Sequence, residues 1–335
     1  MKIKKVVIIQ CRLSSSRLPQ KALKELNGIT VLDWVLMSMS KVKANKYYVA
    51  TDESSYEALK PICDRNKFEI FAGDLNNVLK RYCDLIEKIK VDVVIRATAD
   101  NPFLFYEAAQ NSVDEFERRM LNGEKIDYLT YSGLPHGSGV EVFKAESLLD
   151  SVKNNPSDYE KEHVGPALYK HPEKYKCEFL KAPARFYYPD LRTTIDTYSD
   201  YLRSISIVKF ILGENKPTNP FSAEQIIQTS YTKKVAHPTI YVPCVKKGYG
   251  TGHLRRCLKA ESDSDAFVYI PSDSTLAEVK DLLAEYKEKG LKDWQVIEEL
   301  PDDTLKPNLV TDLFSLEKED IATYCNNKNF IGIDE

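Results

Sequence analysis

The sequence has 335 residues, of which 43% are hydrophobic and 29% charged, with a formal net charge of −3. This length allows one large core and a smaller second domain, and the small negative charge argues against a protein that coats nucleic acid. No apolar stretch reaches the 18 residues of a transmembrane helix. The short apolar run before Arg12 indicates a core strand rather than a signal peptide. The seven cysteines have no C-x-x-C spacing, which indicates reduced cytoplasmic thiols.

The first predicted element is a strand over residues 6–9, which runs directly into a basic loop. Its apolar residues are typical of a buried parallel strand, and α/β sheets bind ligands where such strands end. The loop carries four cations, no acid and three small polar residues: Arg12, Arg17, Lys21, Lys24, Ser14, Ser15 and Ser16. This pattern indicates a polyphosphate site, although many such loops are solvated surface turns. It matches neither the Walker loop nor the dinucleotide fingerprint.

Helices and strands then alternate, which predicts a doubly wound, mainly parallel sheet. The predicted elements are helices over 31–39, 57–63 and 76–89, and strands over 47–51, 68–71 and 91–97. Asp100 follows the last of these strands, where it would lie beside the basic loop and offer a hard oxygen ligand for Mg²⁺. The alternative is that Asp100 caps a helix that opens near residues 102–106.

The run from Ile8 to Lys21, I-I-Q-C-R-L-S-S-S-R-L-P-Q-K, resembles the signature I-I-Q-A-R-M-G-S-T-R-L-P-G-K of the cytidylyltransferases that make CMP-activated sugars. The nearest branch is the spore-coat polysaccharide cytidylyltransferase-like family, related to the CMP-Kdo and CMP-sialic acid synthetases. Six motifs in family order cover roughly residues 1–212. The resemblance implies a Rossmann-like nucleotide-diphospho-sugar transferase fold of the GT-A type. Ser14 and Gln20 stand where the family has glycines.

The resemblance also implies roles for individual residues. Arg12, Arg17 and Lys21 would place positive charge on the phosphates, and Asp100 and Asp196 would hold Mg²⁺. Further nucleotide contacts are implied at Gln10, Cys11, Ser15, Ser16, Asp52, Arg81 and Thr98. The acceptor would meet His136, Gly137 and Glu141, which lie in a run resembling P-x-G-x-D-V-E-V-F. From the residues alone, Glu141 also fits an exposed position of an alternating strand.

Two further acid-containing motifs invite functional interpretations. Glu162 and His163 lie in a run resembling E-R-E-H-V-T, but the absence of a second histidine four residues on argues against zinc. His163 fits a structural hydrogen-bonded histidine as well as a ligand contact. Asp200 follows the motif that carries Asp196, and we expect it to open the following helix.

Proline-containing stretches at 217–220 and 237–238 predict a linker, so we expect a cytidylyltransferase domain over 1–235 and a second domain over 236–335. The second domain should be Rossmann-like, with strands over 239–245, 267–270, 308–314 and 330–333 and helices over 275–289 and 318–326. Its glycine-rich run up to Leu258 resembles the G-x-G-H-x-x-R-C-x-x-L that opens the UDP-sugar hydrolase of the pseudaminic acid pathway. That glycosyltransferase-B-type resemblance implies His253 as a candidate catalytic residue in a truncated or degenerate domain.

We therefore expect a Mg²⁺-dependent nucleotidyltransferase that transfers CMP from CTP to an anionic acceptor, a sugar acid, and releases pyrophosphate. The preference for CTP rests on the resemblance alone. Phosphonate and phospho-alcohol acceptors remain open, and so does a nucleotide-binding scaffold without catalysis. A GT-A glycosyltransferase is disfavoured because Ala99-Asp100-Asn101 replaces its D-x-D motif. The expected partners are CTP and the small acceptor, with no nucleic acid or membrane, in a cytoplasmic protein; a homodimer is left open.

Overall fold

The computed structural model describes residues 3–15, 17–262, 266–302, 305–313 and 329–333. Packing divides the chain into one unit of Met1–Asp196 with Lys216–Ile227 and another of Thr197–Asn215 with Gln228–Glu335. A single domain boundary at 235/236 therefore stays a prediction. In the described ranges, no helix has both the length and the apolarity needed to cross a bilayer.

The strands of the first unit are β1 (Lys5–Gln10), β2 (Glu25–Leu26), β3 (Ile29–Thr30), β4 (Lys46–Asp52), β5 (Glu69–Gly73), β6 (Val93–Thr98), β7 (Tyr128–Ser132), β8 (Glu141–Lys144) and β9 (Cys177–Lys181). Seven of them form one sheet in the order β5-β4-β1-β6-β8-β7-β9, while β2 and β3 form a small antiparallel hairpin. All neighbours in the large sheet are parallel except at β8, which runs antiparallel to both β6 and β7. The predicted mainly parallel sheet is confirmed.

The described α-helices are α1 (Val31–Met39), α2 (Glu53–Arg65), α3 (Val78–Ile89), α4 (Tyr106–Leu121), α5 (Ala145–Ser151), α6 (Asp158–His163), α7 (Pro166–Tyr169), α8 (Tyr198–Leu212), α9 (Ala223–Ser230), α10 (Lys233–Ala236), α11 (Gly252–Ser262) and α12 (Val279–Glu288). Helices α8, α10, α11 and α12 belong to the second unit. Asp200 lies in the first turn of α8 and forms a capping box with Thr197, so the prediction that it opens this helix is confirmed.

The central strand β1 is buried on both faces, which explains its continuous apolar run. Val7 and Ile9 pack into a core with α1, α2 and α4, whereas Val6 and Ile8 pack into a second core with α3, α5 and α7. Successive side chains of a strand point to opposite faces, so four adjacent apolar residues supply both cores. Strand β1 lies between β4 and β6, and this places the loops after β1 and β6 side by side at the carboxyl edge of the sheet.

The second unit contains five parallel strands in the order β12-β11-β10-β13-β14. They are β10 (Thr239–Pro243), β11 (Phe267–Tyr269), β12 (Val296–Ile297), β13 (Asn308–Asp312) and β14 (Asn329–Ile333). Helices α11 and α12 pack on this sheet through an apolar core that includes Leu254, Leu258 and Leu282. The predicted second, smaller Rossmann-like unit is confirmed, and the predicted helix over 318–326 lies outside the described residues.

Candidate functional site

The basic loop after β1 lines a cavity of about 320 Å³ at the carboxyl edge of the first sheet. Leu18 and Ala22 anchor the loop because both are buried in the core. Between them, Gln20 adopts the left-handed conformation with φ of 52° and precedes a short 3-10 turn that begins at Lys21. The predicted residues that line this cavity are Gln10, Cys11, Arg12, Ser15, Arg17, Lys21, Thr98, Asp100 and Asp196. Ser16 lies outside the described residues.

Lys21 joins the two carboxylates that the sequence assigns to a metal. Its Nζ donates to Asp100 Oδ2 at 2.7 Å and to Asp196 Oδ1 at 3.0 Å. Thr98 donates its hydroxyl to the other oxygen of Asp100 at 2.6 Å. Helix α4 begins only at Tyr106 and has no side-chain cap, so Asp100 does not cap it. The structure thus brings together one loop cation and two acids that lie 79 and 175 residues away in the chain.

Asp196 is surrounded by cations. Arg17 lies 3.2 Å from one of its carboxylate oxygens and Arg192 lies 2.8 Å from the other. Burial alone would raise the pKa of Asp196, but the Lys21 hydrogen bond and the charges of Lys21, Arg17 and Arg192 lower it below the ordinary value. Asp196 is therefore held as a carboxylate.

The donor set fits a hard divalent cation. Mg²⁺ in proteins is commonly bound by one or two carboxylates together with substrate phosphates and water, rather than by an all-protein cage. Asp100 and Asp196 provide two carboxylates that already share one cation, Lys21. Among the residues that the structure describes, no group of three or more His, Cys, Asp or Glu side chains forms a metal cluster. Any metal at this site would thus complete its coordination with water or with a bound substrate.

A second cavity, of about 490 Å³, adjoins the first and contains the predicted acceptor residues His136, Gly137 and Glu141. Arg96, Thr98, Asp100 and Asp196 line both cavities and form the boundary between them. Gly137 has φ of 97°, and a Cβ there would lie 2.5 Å from the backbone nitrogen of Thr194. Glycine is therefore required where the wall of the second cavity meets the segment that carries Asp196.

Arg96 is a site residue that the sequence interpretation missed. Its guanidinium donates to Gln10 Oε1, from Nε at 3.2 Å and from Nη2 at 2.8 Å, and pairs through Nη1 with Glu141 Oε2. Tyr128 donates its hydroxyl to the other oxygen of Glu141 at 2.8 Å. Glu141 is thus not an exposed strand residue. The signal for Arg96 was available, because it is the one charge within the otherwise apolar run of β6.

Two predicted nucleotide contacts do not line either cavity. Asp52 caps helix α2, where its carboxylate accepts the backbone N–H of Ser55 at 3.1 Å and the Ser55 hydroxyl at 2.9 Å. Arg81 is fully buried and donates to the backbone carbonyls of Asp74 and Leu75. Both side chains are thus used by the fold, and nucleotide binding by them stays a prediction.

Cys11 lines the first cavity, but burial raises the pKa of its thiol strongly, so it is no reactive thiolate.

Helix α6 forms another part of the first cavity. Glu162 accepts a hydrogen bond from Arg12 at 3.0 Å, and His163 packs against Tyr159 with ring centroids 4.4 Å apart and the rings tilted by 53°. The exposed Arg12–Glu162 pair contributes little to stability. Arg12 therefore lies in the cavity with a weak carboxylate partner that an anionic ligand could displace.

The second unit has its own polar cluster at the carboxyl edge of its sheet. His253, at the start of α11, lies with its Nδ1 atom 2.7 Å from Asp312 Oδ1, at the end of β13. Arg256 donates to both oxygens of Asp312, at 2.8 and 3.0 Å. Burial alone would raise the pKa of Asp312, but its hydrogen bonds to Arg256 and His253 lower it. An ionised carboxylate only accepts hydrogen bonds, so Nδ1 of His253 is the ring nitrogen that carries the hydrogen in this pair.

The sequence was also compared with known proteins. Residues 6–235 match the family model described as "Cytidylyltransferase". A spore coat polysaccharide biosynthesis protein, SpsF, of Bacillus subtilis is 33% identical over 202 residues, which are 58% of this chain and 82% of SpsF. A 3-deoxy-manno-octulosonate cytidylyltransferase of Aliivibrio fischeri is 30% identical over 122 residues, 32% of this chain and 46% of that protein. Among solved structures, a cytidylyltransferase from Leptospira borgpetersenii superposes with a TM-score of 0.61 and 26% identity, covering 68% of this chain and 94% of that one.

Proposed function

The chain belongs to the cytidylyltransferase family, and on that premise we propose that it transfers CMP from CTP to an anionic small molecule and releases pyrophosphate. The observation that carries this proposal is the convergence of Lys21, Asp100 and Asp196 at the boundary of two adjoining cavities. The first cavity would take the triphosphate and the second the acceptor. The reaction would then occur where the two cavities meet.

Charge is the main obstacle to this reaction, because both reactants are anions. Two like charges about 4 Å apart repel by roughly 4 kcal/mol at an effective dielectric constant of 20. Arg12 and Arg17 can each present a forked pair of donors to phosphate oxygens, and Lys21 can add a point charge. These residues also orient the triphosphate, so that its α-phosphorus faces the second cavity.

Asp100 and Asp196 would hold Mg²⁺ in this mechanism. When bound, the ion would neutralise phosphate charge and lower the pKa of the incoming acceptor hydroxyl. Lys21 occupies both carboxylates in the structure, so binding of the nucleotide requires it to turn from the acids to the phosphates. A dedicated general base is not part of the proposal.

A pyrophosphate-release assay tests the proposal. CTP, UTP, ATP and GTP are each incubated with Mg²⁺ and a panel of sugar acids, phosphonates and phospho-alcohols. We expect release with CTP and a loss of about a hundredfold or more in Asp100→Asn and Asp196→Asn. Asp84→Asn is the matched control, because Asp84 forms only an exposed pair with Lys80 on α3. Near-wild-type release by both site variants would refute the mechanism.

We favour a sugar acid as the acceptor because one similar protein is named for spore coat polysaccharide biosynthesis and another is named a 3-deoxy-manno-octulosonate cytidylyltransferase. The polar wall of the second cavity, with His136, Thr130 and Glu141, suits a hydroxylated acceptor. The acceptor panel separates this class from phosphonates and phospho-alcohols. If no nucleoside triphosphate raises the melting temperature in Mg²⁺, a scaffold without catalysis becomes the better explanation.

A second activity is proposed for the second unit on one observation, the buried His253–Asp312 pair. With Nδ1 held by Asp312, the opposite ring nitrogen can exchange a proton with a substrate, as a general acid or base requires. The hydrolase resemblance around His253 suggests a sugar nucleotide as that substrate. Release of UMP or UDP from UDP-sugars, lost in His253→Gln, would support it; no release from wild-type protein would refute it.

A further inference from the structure

Arg96 links the two cavities of the first unit through side-chain hydrogen bonds. It lies on the central strand β6 and reaches Gln10 on β1 on one side and Glu141 on β8 on the other. Only 12% of its side chain is exposed, and it lines both cavities. Burial alone would lower the pKa of Arg96, but the adjacent Glu141 raises it, so the charge is retained. A buried, paired arginine at this boundary has more than a packing role.

The donor pattern of Arg96 determines which way the Gln10 amide faces. A guanidinium has five N–H donors and no acceptor, so the group that it meets at 2.8 and 3.2 Å must be the amide oxygen. The NH₂ group of the same amide cannot face Arg96. Gln10 also lines the first cavity, where its NH₂ group would act as a donor toward an acceptor atom of the ligand.

Glu141 and Tyr128 hold Arg96 in this position. Arg96 contacts one carboxylate oxygen of Glu141, and the Tyr128 hydroxyl donates to the other at 2.8 Å. Gly165 leaves the space for this carboxylate, because a Cβ there would lie 2.2 Å from Glu141 Oε1. The planar fork of arginine contacts Gln10 and Glu141 at once, which the single ammonium of lysine reproduces poorly.

We propose that Arg96 is a positioning residue, held by Glu141, that fixes Gln10 as a hydrogen-bond donor to the nucleotide in the first cavity. This inference rests on the proposed function. It assigns to Arg96 an effect on nucleotide affinity that acts through Gln10, without contact between Arg96 and the nucleotide.

The test is a double-mutant cycle on the affinity for CTP, measured by calorimetry in Mg²⁺ without acceptor. Arg96→Gln and Arg96→Lys should each weaken CTP binding about five- to tenfold in the wild-type background. In the Gln10→Ala background, the same changes should alter affinity less than twofold, because the group through which Arg96 acts is gone. Gln10→Glu should keep the contact with Arg96 and the melting temperature, yet lose CTP affinity, because oxygen replaces its N–H donors and a negative charge then faces the phosphates.

Arg118→Gln is the control, since Arg118 is half exposed on α4 and pairs with Glu115. Losses that are equal in both Gln10 backgrounds would overturn the inference and indicate either direct contact or general destabilisation by Arg96 removal. Unchanged affinity in Arg96→Gln and Arg96→Lys would overturn it as well. If Arg96→Gln fails to fold, Arg96→Lys compared in the wild-type and Gln10→Ala backgrounds still decides the matter. Wild-type protein that binds no nucleoside triphosphate would instead refute the proposed function.

Discussion

Replacing Lys21 by glutamine should change magnesium and nucleotide binding in opposite directions. In the structure, one ammonium group contacts two carboxylates, at 2.7 Å from Asp100 and 3.0 Å from Asp196. Glutamine keeps most of the side-chain length but removes the charge. The two acids then lose their shared counter-charge, whereas the triphosphate loses a cation that would contact it.

The expected magnitude follows from these distances. Each contact corresponds to a gross attraction of about 6 kcal/mol at an effective dielectric constant of 20. Most of this cancels against the cost of removing water, and a hydrogen bond between charged groups contributes a net value of about 2 kcal/mol. Since 1.4 kcal/mol corresponds to a factor of ten, Lys21→Gln should bind Mg²⁺ alone roughly ten- to thirtyfold more tightly. CTP binding should weaken by a similar factor.

Two titrations at low ionic strength measure these effects, because salt would screen them. The Mg²⁺ titration monitors the melting temperature without nucleotide, and the CTP titration uses calorimetry at saturating Mg²⁺. Lys24→Gln is the matched control, because Lys24 lies in the same segment but lines neither cavity. If Lys21→Gln binds Mg²⁺ no more tightly than the wild type does, Lys21 does not compete with Mg²⁺ for the two acids. If CTP affinity is also unchanged, Lys21 does not contact the triphosphate.

Three further substitutions test the surroundings of the site. Gln20→Gly should leave CTP affinity unchanged. It should raise the free energy of unfolding by at most about 1 kcal/mol, because glycine adopts the left-handed conformation without strain but loses more conformational entropy on folding. A loss of CTP affinity would contradict this prediction. Gly137→Ala should lower the free energy of unfolding by roughly 2 kcal/mol or more and abolish pyrophosphate release, because the new Cβ would collide with Thr194. A variant with the melting temperature and turnover of the wild type would refute this prediction. Asp33→Asn should lower the free energy of unfolding at pH 7, measured by denaturant titration, by about 2 kcal/mol, because Asp33 accepts hydrogen bonds from Arg65 and Thr30. Burial alone would raise the pKa of Asp33, but those hydrogen bonds lower it below its ordinary value, so this stabilisation is complete above about pH 4 and lost at lower pH. A stability difference between the two proteins that persists unchanged at pH 2 would contradict the pairing.

The sequence was sufficient to predict four of the seven strands of the first sheet and the residues of the basic loop. Short apolar runs located β1, β4, β5 and β6, and burial explains the run in β1, β4 and β6, whereas the residues of β5 are only partly buried or exposed. The short strands β2 and β3 were missed, since two-residue strands leave no periodicity. Lys21 and Asp100 could be predicted separately, but their direct contact depends on how β1 and β6 are paired.

The sequence is least informative about polar side chains that form hydrogen bonds within the fold. Asp52 ends a strand, as a ligand-binding acid would, but the serines at 54 and 55 bond to its carboxylate and make it a helix cap. Arg81 lies on the apolar face of α3, where its guanidinium donates to backbone carbonyls instead of to a cavity. Local sequence reveals that such residues are polar. It does not reveal whether backbone groups already satisfy them.

The position of Asp196 shows why the two halves of the site depend on each other. Its segment has no regular secondary structure and is held by backbone hydrogen bonds, from Thr193 N to His136 O at 2.8 Å and from Ile195 N to Asp100 O at 2.8 Å. The first bond attaches the segment to the wall of the second cavity, and the second attaches it to the loop that carries the other acid. We therefore expect a change in the wall of the second cavity at Gly137 to move Asp196 relative to Asp100 and Lys21. Substitutions in that wall should consequently impair turnover even where they touch neither substrate.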